Sequence, residues 1–182
     1  MLFKVTLFLL LFLPGALRAQ TAALEVFDDS TFTQRSGSMA AGLKTLYVRI
    51  VPLALNPGYT AIEFRLTGLE GLLLSTMNWS NDPIVVLGSL ADGMNVGWPT
   101  CQHDELLLAF TVFSLEPPEN REIRVAAHTN PSNPNFDFPF LNNCDAPCIW
   151  CGYALEGEAY ILNPIVAVEP SSWGHIKSLY QQ

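Results

Sequence analysis

Apolar and polar side chains alternate along several short segments of this chain, and this pattern limits what the chain can fold into. In one such segment, Leu46, Val48 and Ile50 are separated by single residues that include Arg49. A side-chain period of two is typical of β-strands with one buried face. The same period recurs at 61–66, 106–112 and 122–127, with shorter strand candidates at 24–27, 72–76, 84–87 and 160–162. No helical stripe separates them, so we predict one all-β domain, an antiparallel β-sandwich over residues 20–163.

Turn residues separate the predicted strands. Ala91-Asp92-Gly93 predicts a tight turn, and we expect another at Trp98-Pro99-Thr100. Residues 116–120 include two prolines and predict a hairpin connection between the strands on either side. The strand at 105–113 is apolar on both faces. This pattern predicts a central strand covered on both sides, or a strand that lines a groove.

The first nineteen residues have the layout of a secretory signal peptide. Lys4 precedes a run from Val5 to Leu13 that is apolar apart from Thr6, and a small residue, Ala19, ends the segment. The run is shorter than the ~20 residues that span a bilayer. We therefore predict a signal peptide at 1–19 and a secreted or cell-surface protein, the periplasm included, without stable membrane insertion after cleavage. Cleavage after Ala22 or Ala23 and an uncleaved anchor remain as alternatives.

The charge of the chain argues against one class of partner. The chain has nine basic and 17 acidic residues, for a formal net charge of −8, and the predicted signal peptide contains two of the basic residues and no acidic one. Proteins that bind nucleic acid neutralise phosphates with clustered Lys and Arg. We therefore expect an extracellular protein or carbohydrate as partner, and not nucleic acid.

The cysteines Cys101, Cys144, Cys148 and Cys151 predict two disulfides in an exported chain. Three pairings are possible, and in each Cys101 joins one of the other three, which would tie the turn-rich segment 128–152 to residues 98–100. Cys148 and Cys151 have the spacing of a redox motif. That motif acts from the start of a helix in a βαβ unit, and the sequence pattern here predicts neither, so redox catalysis is not expected. A four-thiolate zinc site is chemically possible. Export to an oxidising space favours the disulfides.

The sequence assembles no motif for a catalytic, cofactor or metal site, and we assign none. His103 stands next to Asp104 and Glu105, but other ligands at metal-binding spacing are missing. The nucleophile elbow, the phosphate-binding glycine loop and the His-Glu-x-x-His pair are also missing. Trp79, Trp98 and Trp150 lie in or near predicted loops, where indole faces could stack on sugar rings, although packing is their commoner use.

Residues 164–182 form a predicted linker and short C-terminal helix. Ser171 or Ser172 can cap the helix start, and Trp173, Ile176 and Tyr180 share one face. A helix this short is marginal alone. It therefore either docks on the sandwich, folds against a partner, or serves as a sorting or attachment signal.

Four segments carry a resemblance to known proteins: 46–50 (LYVRI), 58–64 (GYTAIEF), 97–101 (GWPTC) and 173–180 (WGHIKSLY). With the signal peptide and the strand pattern, they make the chain similar to a family of small secreted bacterial proteins of unknown function. The mature part of that family resembles an immunoglobulin- or cohesin-like β-sandwich. The resemblance implies a non-catalytic role outside the cell or at its surface, by analogy of fold.

Three functions follow as hypotheses. The first is a secreted, disulfide-bonded binding or adhesion module. The second is a carbohydrate-active hydrolase, which would require acidic side chains such as Asp104, Glu105 or Asp145 to converge in a cleft. The third is a structural subunit of a surface layer.

Overall fold

The computed structural model describes residues 22–52, 58–134, 137–144, 152–154 and 157–165. These residues form twelve strands and no helix. The strands are β1 (Ala22–Phe27), β2 (Ser36–Gly37), β3 (Gly42–Pro52), β4 (Tyr59–Thr67), β5 (Leu73–Trp79), β6 (Val85–Ser89), β7 (Gly93–Gln102), β8 (Leu106–Ser114), β9 (Arg121–Ala126), β10 (Phe140–Asn143), β11 (Gly152–Ala154) and β12 (Tyr160–Leu162). Within this part of the chain, no helix has the length and apolarity that a membrane crossing requires.

The first sheet has the strand order β1-β3-β8-β5, and all its pairs are antiparallel. β8 lies between β3 and β5, so the strand predicted at 105–113 is central in its sheet, although Phe113 on its outer side is only partly buried. Side chains at alternate positions of β3 and β8 point to the core, and the others point outward. Thr45 and Thr111 mark the outward set, since their hydroxyl oxygens lie 2.9 Å apart across the two strands.

The second sheet is built around β4. The first half of β4 pairs with β7 on one edge and with β10 on the other. β6 then extends the sheet beyond β7, and β11 extends it beyond β10. The second half of β4 pairs with β9, which pairs with β12. The only parallel pair among the described strands joins β12 to the two-residue strand β2.

The core lies between the two sheets, where alternation predicted it. Leu46, Val48 and Ile50 of β3 are buried, as are Phe64 and Leu66 of β4. Burying a side chain of this size stabilises the fold by about 1.5–3 kcal/mol relative to leaving it in water. The structure therefore confirms the all-β sandwich.

β1 is buried along its whole length, including the charged residue Glu25. The Glu25 carboxylate accepts hydrogen bonds from Nε and Nη2 of Arg35, at 2.8 and 2.5 Å. The same guanidinium lies over the ring of Phe27, 5.2 Å from its centroid. A buried carboxylate is tolerated when it is paired and hydrogen-bonded in this way.

Two local predictions are wrong. Residues 98–100 are not a turn but part of β7, whose pairing with β4 shifts between Ala61 and Tyr59. This bulge moves Pro99, which has no N–H to donate, out of the regular ladder. The second error is the hairpin at 116–120, because β8 lies in the first sheet and β9 in the second. The connection crosses from one layer of the sandwich to the other.

The predicted signal peptide and the predicted C-terminal helix lie outside the described residues. The domain boundaries at 19 and 163 therefore stay predictions. The tight turn at 91–93 is confirmed: it joins β6 to β7, and Asp92 N–H donates to Ser89 Oγ at 3.0 Å.

Candidate binding face

The outer surface of β6, β7, β4 and β10, which we refer to as the candidate face, carries two rows of side chains. Strand register sets the first row, because Val85 pairs with Gly97, Gly97 with Ala61, and Ala61 with Asn142. The second row is set in the same way and runs through Leu87, Asn95, Glu63 and Phe140. Paired residues on neighbouring strands point to the same side of a sheet.

A depression of about 410 Å³ lies on this face. Gly97 and Ala61 have the smallest side chains of the two rows, so they form its floor. Val85, Phe140 and Ser132 stand around them. The depression therefore results from two small residues placed side by side in the middle of a sheet.

Glu63 lies at the edge of the depression and is only 5% exposed. Its Oε1 accepts a hydrogen bond from the backbone N–H of Ser132 at 2.9 Å. This bond brings the loop after β9 over the outer surface of β4. A carboxylate buried beside a mainly apolar depression gives the face a polar group at a fixed position.

β6 forms an apolar margin of the candidate face. Ile84, Val85, Val86 and Leu87 follow one another without a charge, and all four are exposed. Among the described strands, β6 pairs with β7 alone. Edge strands of soluble proteins usually carry charges or prolines that prevent further pairing. Uncharged, exposed edges of this kind are a common feature of interaction surfaces.

A disulfide fixes one end of the candidate face. Cys101 at the end of β7 is bonded to Cys144, which follows β10, with a Cα–Cα distance of 5.8 Å. Both strands flank the start of β4, so the disulfide clamps the three central strands together. It also ties residue 144 to the 98–101 segment, as expected if Cys101 joined one of the clustered cysteines. Cys148 and Cys151 lie outside the described residues, and the second disulfide stays a prediction.

An aromatic cluster packs inside the same end. The rings of Tyr59 and Trp98 meet edge to face at 5.2 Å, and those of Trp98 and Trp79 do so at 6.1 Å. The Tyr59 hydroxyl donates to the Asp104 carbonyl at 3.3 Å. Burial, and then the negative charge of Asp104, raise the pKa of Tyr59 above its usual value. This phenol is therefore a neutral hydrogen-bond donor at physiological pH.

The tryptophans proposed for sugar stacking are placed differently from one another. Trp98 is 5% exposed, and its Nε1 donates to the Asn81 carbonyl at 3.3 Å. Trp79 is half-buried against it, and Trp150 lies outside the described residues. Sugar binding by these residues stays a prediction.

The acidic residues considered for hydrolysis have separate partners. Glu105 Oε2 accepts from Arg49 Nε at 3.0 Å, and Asp104 Oδ2 accepts from the Asn81 amide. Asp145 lies outside the described residues. His103 is exposed, with Nε2 3.5 Å from Cys101 Sγ. Within the described ranges, no three His, Cys, Asp or Glu residues are grouped as a metal site requires.

The residues of the depression were missed by reasoning from sequence. Ala61 occupies an outward position of a clear strand, but a single alanine carries no signal of its own. Gly97 directly precedes the turn predicted at 98–100, and Phe140 falls in the turn-rich segment 128–152. The available signal was the alternation of Phe136, Phe138 and Phe140, which has a strand period.

No protein-family model matches this chain, and no curated protein matches it. Among solved structures, the fold is similar to cohesin modules, all at low sequence identity. One comes from a family 33 glycoside hydrolase of Clostridium perfringens, with a TM-score of 0.55, 10% identity, and coverage of 79% of this chain and 96% of that one.

Two further cohesins belong to scaffoldins. The sixth cohesin of scaffoldin B from Acetivibrio cellulolyticus, solved in complex with a dockerin, gives a TM-score of 0.51 at 8% identity over 79% of this chain and 99% of its own. The type III cohesin of a cell-surface anchoring scaffoldin from Ruminococcus flavefaciens gives 0.50 at 12% identity over 80% and 88%. At these identities the likeness shows a shared fold, and it confirms the cohesin-like sandwich expected from the sequence.

Proposed function

We propose that this chain is an exported, non-catalytic protein-binding module that receives its partner on the candidate face. The observation that carries the proposal is the apolar depression between Val85 and Phe140, which continues into the exposed strand β6. An apolar concavity with a few fixed polar groups is the usual form of a binding site. Here the fixed polar groups are Glu63, held by the Ser132 N–H, and Asn142, whose Nδ2 donates to Thr60 Oγ1 at 3.3 Å.

A protein is the partner class that best fits this face. β6 offers an uncharged strand edge, to which an extended segment of another protein can add by backbone hydrogen bonds. Alternate side chains of such a segment would then contact Val85 and Leu87. The complex of the Acetivibrio cohesin with a dockerin provides a precedent for a protein ligand on this fold. Because the fold alone is shared, the partner here is proposed by class and not by name.

The sequence and the disulfide support a location outside the cell. The predicted signal peptide at 1–19 directs export, and the disulfide between Cys101 and Cys144 suits an oxidising space. A second disulfide between Cys148 and Cys151 would complete the set. We therefore place the module outside the cell or at the cell surface, where it acts in adhesion or assembly.

The test compares partner capture by matched variants. The purified chain is immobilised and exposed to the extracellular fraction of the organism that encodes it, and bound proteins are quantified by mass spectrometry. We expect one identified protein to bind wild type and Thr76→Glu equally but to lose at least ~10-fold in affinity for Val85→Glu, which is ~1.4 kcal/mol. Thr76 is an exposed residue of β5, on the other sheet.

Direct titration of the identified protein against the same variants completes the test. Capture that is insensitive to Val85→Glu would contradict the proposed face. Hydrolysis of an extracellular polymer by the purified chain would contradict the non-catalytic role.

A further inference from the structure

A row of apolar side chains crosses one end of the outer face of the first sheet. Leu43 of β3 pairs with Phe113 of β8, and Phe113 pairs with Leu73 of β5. The exposed residue Leu115 follows β8 at the same end. We call Leu43, Leu73, Phe113 and Leu115 the apolar row. It lies in the layer opposite the candidate face.

The apolar row is open to solvent in the described part of the chain. Leu43 is 67% exposed, Leu73 is 62% exposed, and a shallow cavity of about 400 Å³ lies between Leu73, Phe113 and Leu115. The next row of the same face is polar, since it contains Thr45 and Thr111. Apolar surface concentrated at one end of a polar face indicates a contact with another segment.

The chain leaves the sandwich beside this row. Asn163, which follows β12, has a left-handed backbone (φ 52°) and donates from Nδ2 to the carbonyls of Met39 and Pro118, at 3.1 and 2.6 Å. Its Oδ1 accepts from Met39 N–H at 2.6 Å. Met39 stands four residues before Leu43, and Pro118 stands three residues after Leu115. Asn163 therefore anchors the chain exit to the two segments that lead into the apolar row.

The remaining chain is long enough to reach the row. Leu43 lies at most ~14 Å from Met39, because four extended residues span no more than that. The five residues 166–170 can span up to ~17 Å, which is enough to cover this distance. Residues 171–180 follow, and the sequence spacing of Trp173, Ile176 and Tyr180 predicts that a helix formed here would carry them on one face. Lys177 borders that face, and the exposed acid Glu116 borders the row. Apolar surfaces and charges are thus complementary.

We propose that residues 171–180 form an amphipathic helix that folds back and covers the apolar row of the same chain. A helix of this length is marginal alone, so packing must supply its stability. The tether makes docking intramolecular, with an effective concentration of the order of mM. A weak contact is then sufficient to keep the helix in place.

The test follows Trp173 in the full chain. The chain has four tryptophans. The emission of Trp173 and its quenching by acrylamide are therefore obtained by subtracting the signal of the same protein that also carries Trp173→Phe. Leu73→Ser is compared with Leu87→Ser, since both leucines are 62% exposed on edge strands and only Leu73 belongs to the row. We expect a shielded Trp173 in wild type and in Leu87→Ser, and a several-fold rise of the quenching constant in Leu73→Ser.

Circular dichroism checks that the variants remain folded. Leu115→Ser replaces Leu73→Ser if the latter unfolds, because Leu115 lies outside the strands. Equal quenching in Leu73→Ser and Leu87→Ser would overturn the proposal, as would an exposed Trp173 in wild type. Shielding that depends on protein concentration would assign the row to a second copy. Loss of residues 166–182 from the secreted chain, seen by mass spectrometry, would assign the segment to sorting and also overturn it.

Discussion

Gly97 of β7 pairs with Ala61 of β4, and this pair of minimal side chains forms the floor of the depression on the candidate face. A Cβ added at Gly97 would meet Val85 Cβ at 3.7 Å and the Thr60 carbonyl oxygen at 3.9 Å. Both are ordinary van der Waals distances. The backbone at residue 97 therefore has room for a side chain. The depression exists because glycine occupies this position, and close packing of the backbone does not require that glycine.

Gly97→Val should fill the depression without destabilising the sandwich. A β-branched residue suits a strand better than glycine, so we expect the free energy of unfolding to stay equal or to rise by up to ~1 kcal/mol. Affinity for the protein partner should fall at least ~10-fold. Urea denaturation and titration calorimetry measure the two quantities. Reduced stability together with unchanged affinity would show that the depression is not used.

The disulfide between Cys101 and Cys144 should contribute strongly to stability. It closes a loop with a sequence separation of 43 residues. The lost entropy of the unfolded chain should raise the free energy of unfolding by about 4 kcal/mol. The double variant Cys101→Ser/Cys144→Ser should lower the urea midpoint accordingly, with Cys148 and Cys151 retained. An unchanged midpoint would mean that the clamp between β7 and β10 is energetically redundant.

The same clamp should require a residue without a side chain at Gly58 in order to pack without overlap. A Cβ at this position would overlap Cys101 Sγ and would stand 2.6 Å from His103 Cε1 and 2.8 Å from Cys144 Sγ. Gly58→Ala should therefore destabilise the protein by about 1–3 kcal/mol through overpacking, or prevent the disulfide from forming. Gly97→Ala is the matched control, because the added methyl group has room there. Free-thiol titration and urea denaturation distinguish the two effects, and equal stability of both variants would contradict the packing argument.

The sequence was sufficient where one face of a strand is buried. Leu46, Val48 and Ile50 repeat with a period of two, and all three are in the core. It was insufficient where pairing is irregular: β7 contains Pro99 within a bulge, so a proline-containing segment that resembled a turn is a strand. The connection 116–120 was also misassigned, because local composition cannot show whether two consecutive strands share a sheet.

The candidate face was harder to predict than the core. Its floor consists of Ala61 and Gly97, residues without distinctive chemistry, and only the register of β4 against β7 brings them together. Register depends on long-range pairing, which a local pattern does not encode. The exposed run at 84–87 was predicted as a strand, but its position at a sheet edge follows from the topology alone.

Asp29 should make the protein sensitive to acid. Its carboxylate accepts hydrogen bonds from the hydroxyls of Thr31 and Thr33, at 2.6 and 2.5 Å, and from backbone N–H groups of the same turn. These bonds hold the pKa of Asp29 well below its usual value of 3.8. The folded state therefore favours the charged form. The resulting stability is present above the unfolded pKa and is lost as the pH falls from the unfolded pKa towards the lower folded pKa.

Asp29→Asn should melt at a lower temperature than wild type near neutral pH, and the difference between the two melting temperatures should narrow as the pH falls below ~4. Thr33→Val, which removes one donor and keeps the carboxylate, should show a smaller difference with the same pH dependence. A difference between wild type and Asp29→Asn that is constant with pH would show that the turn is stabilised by the shape of the side chain and not by its charge.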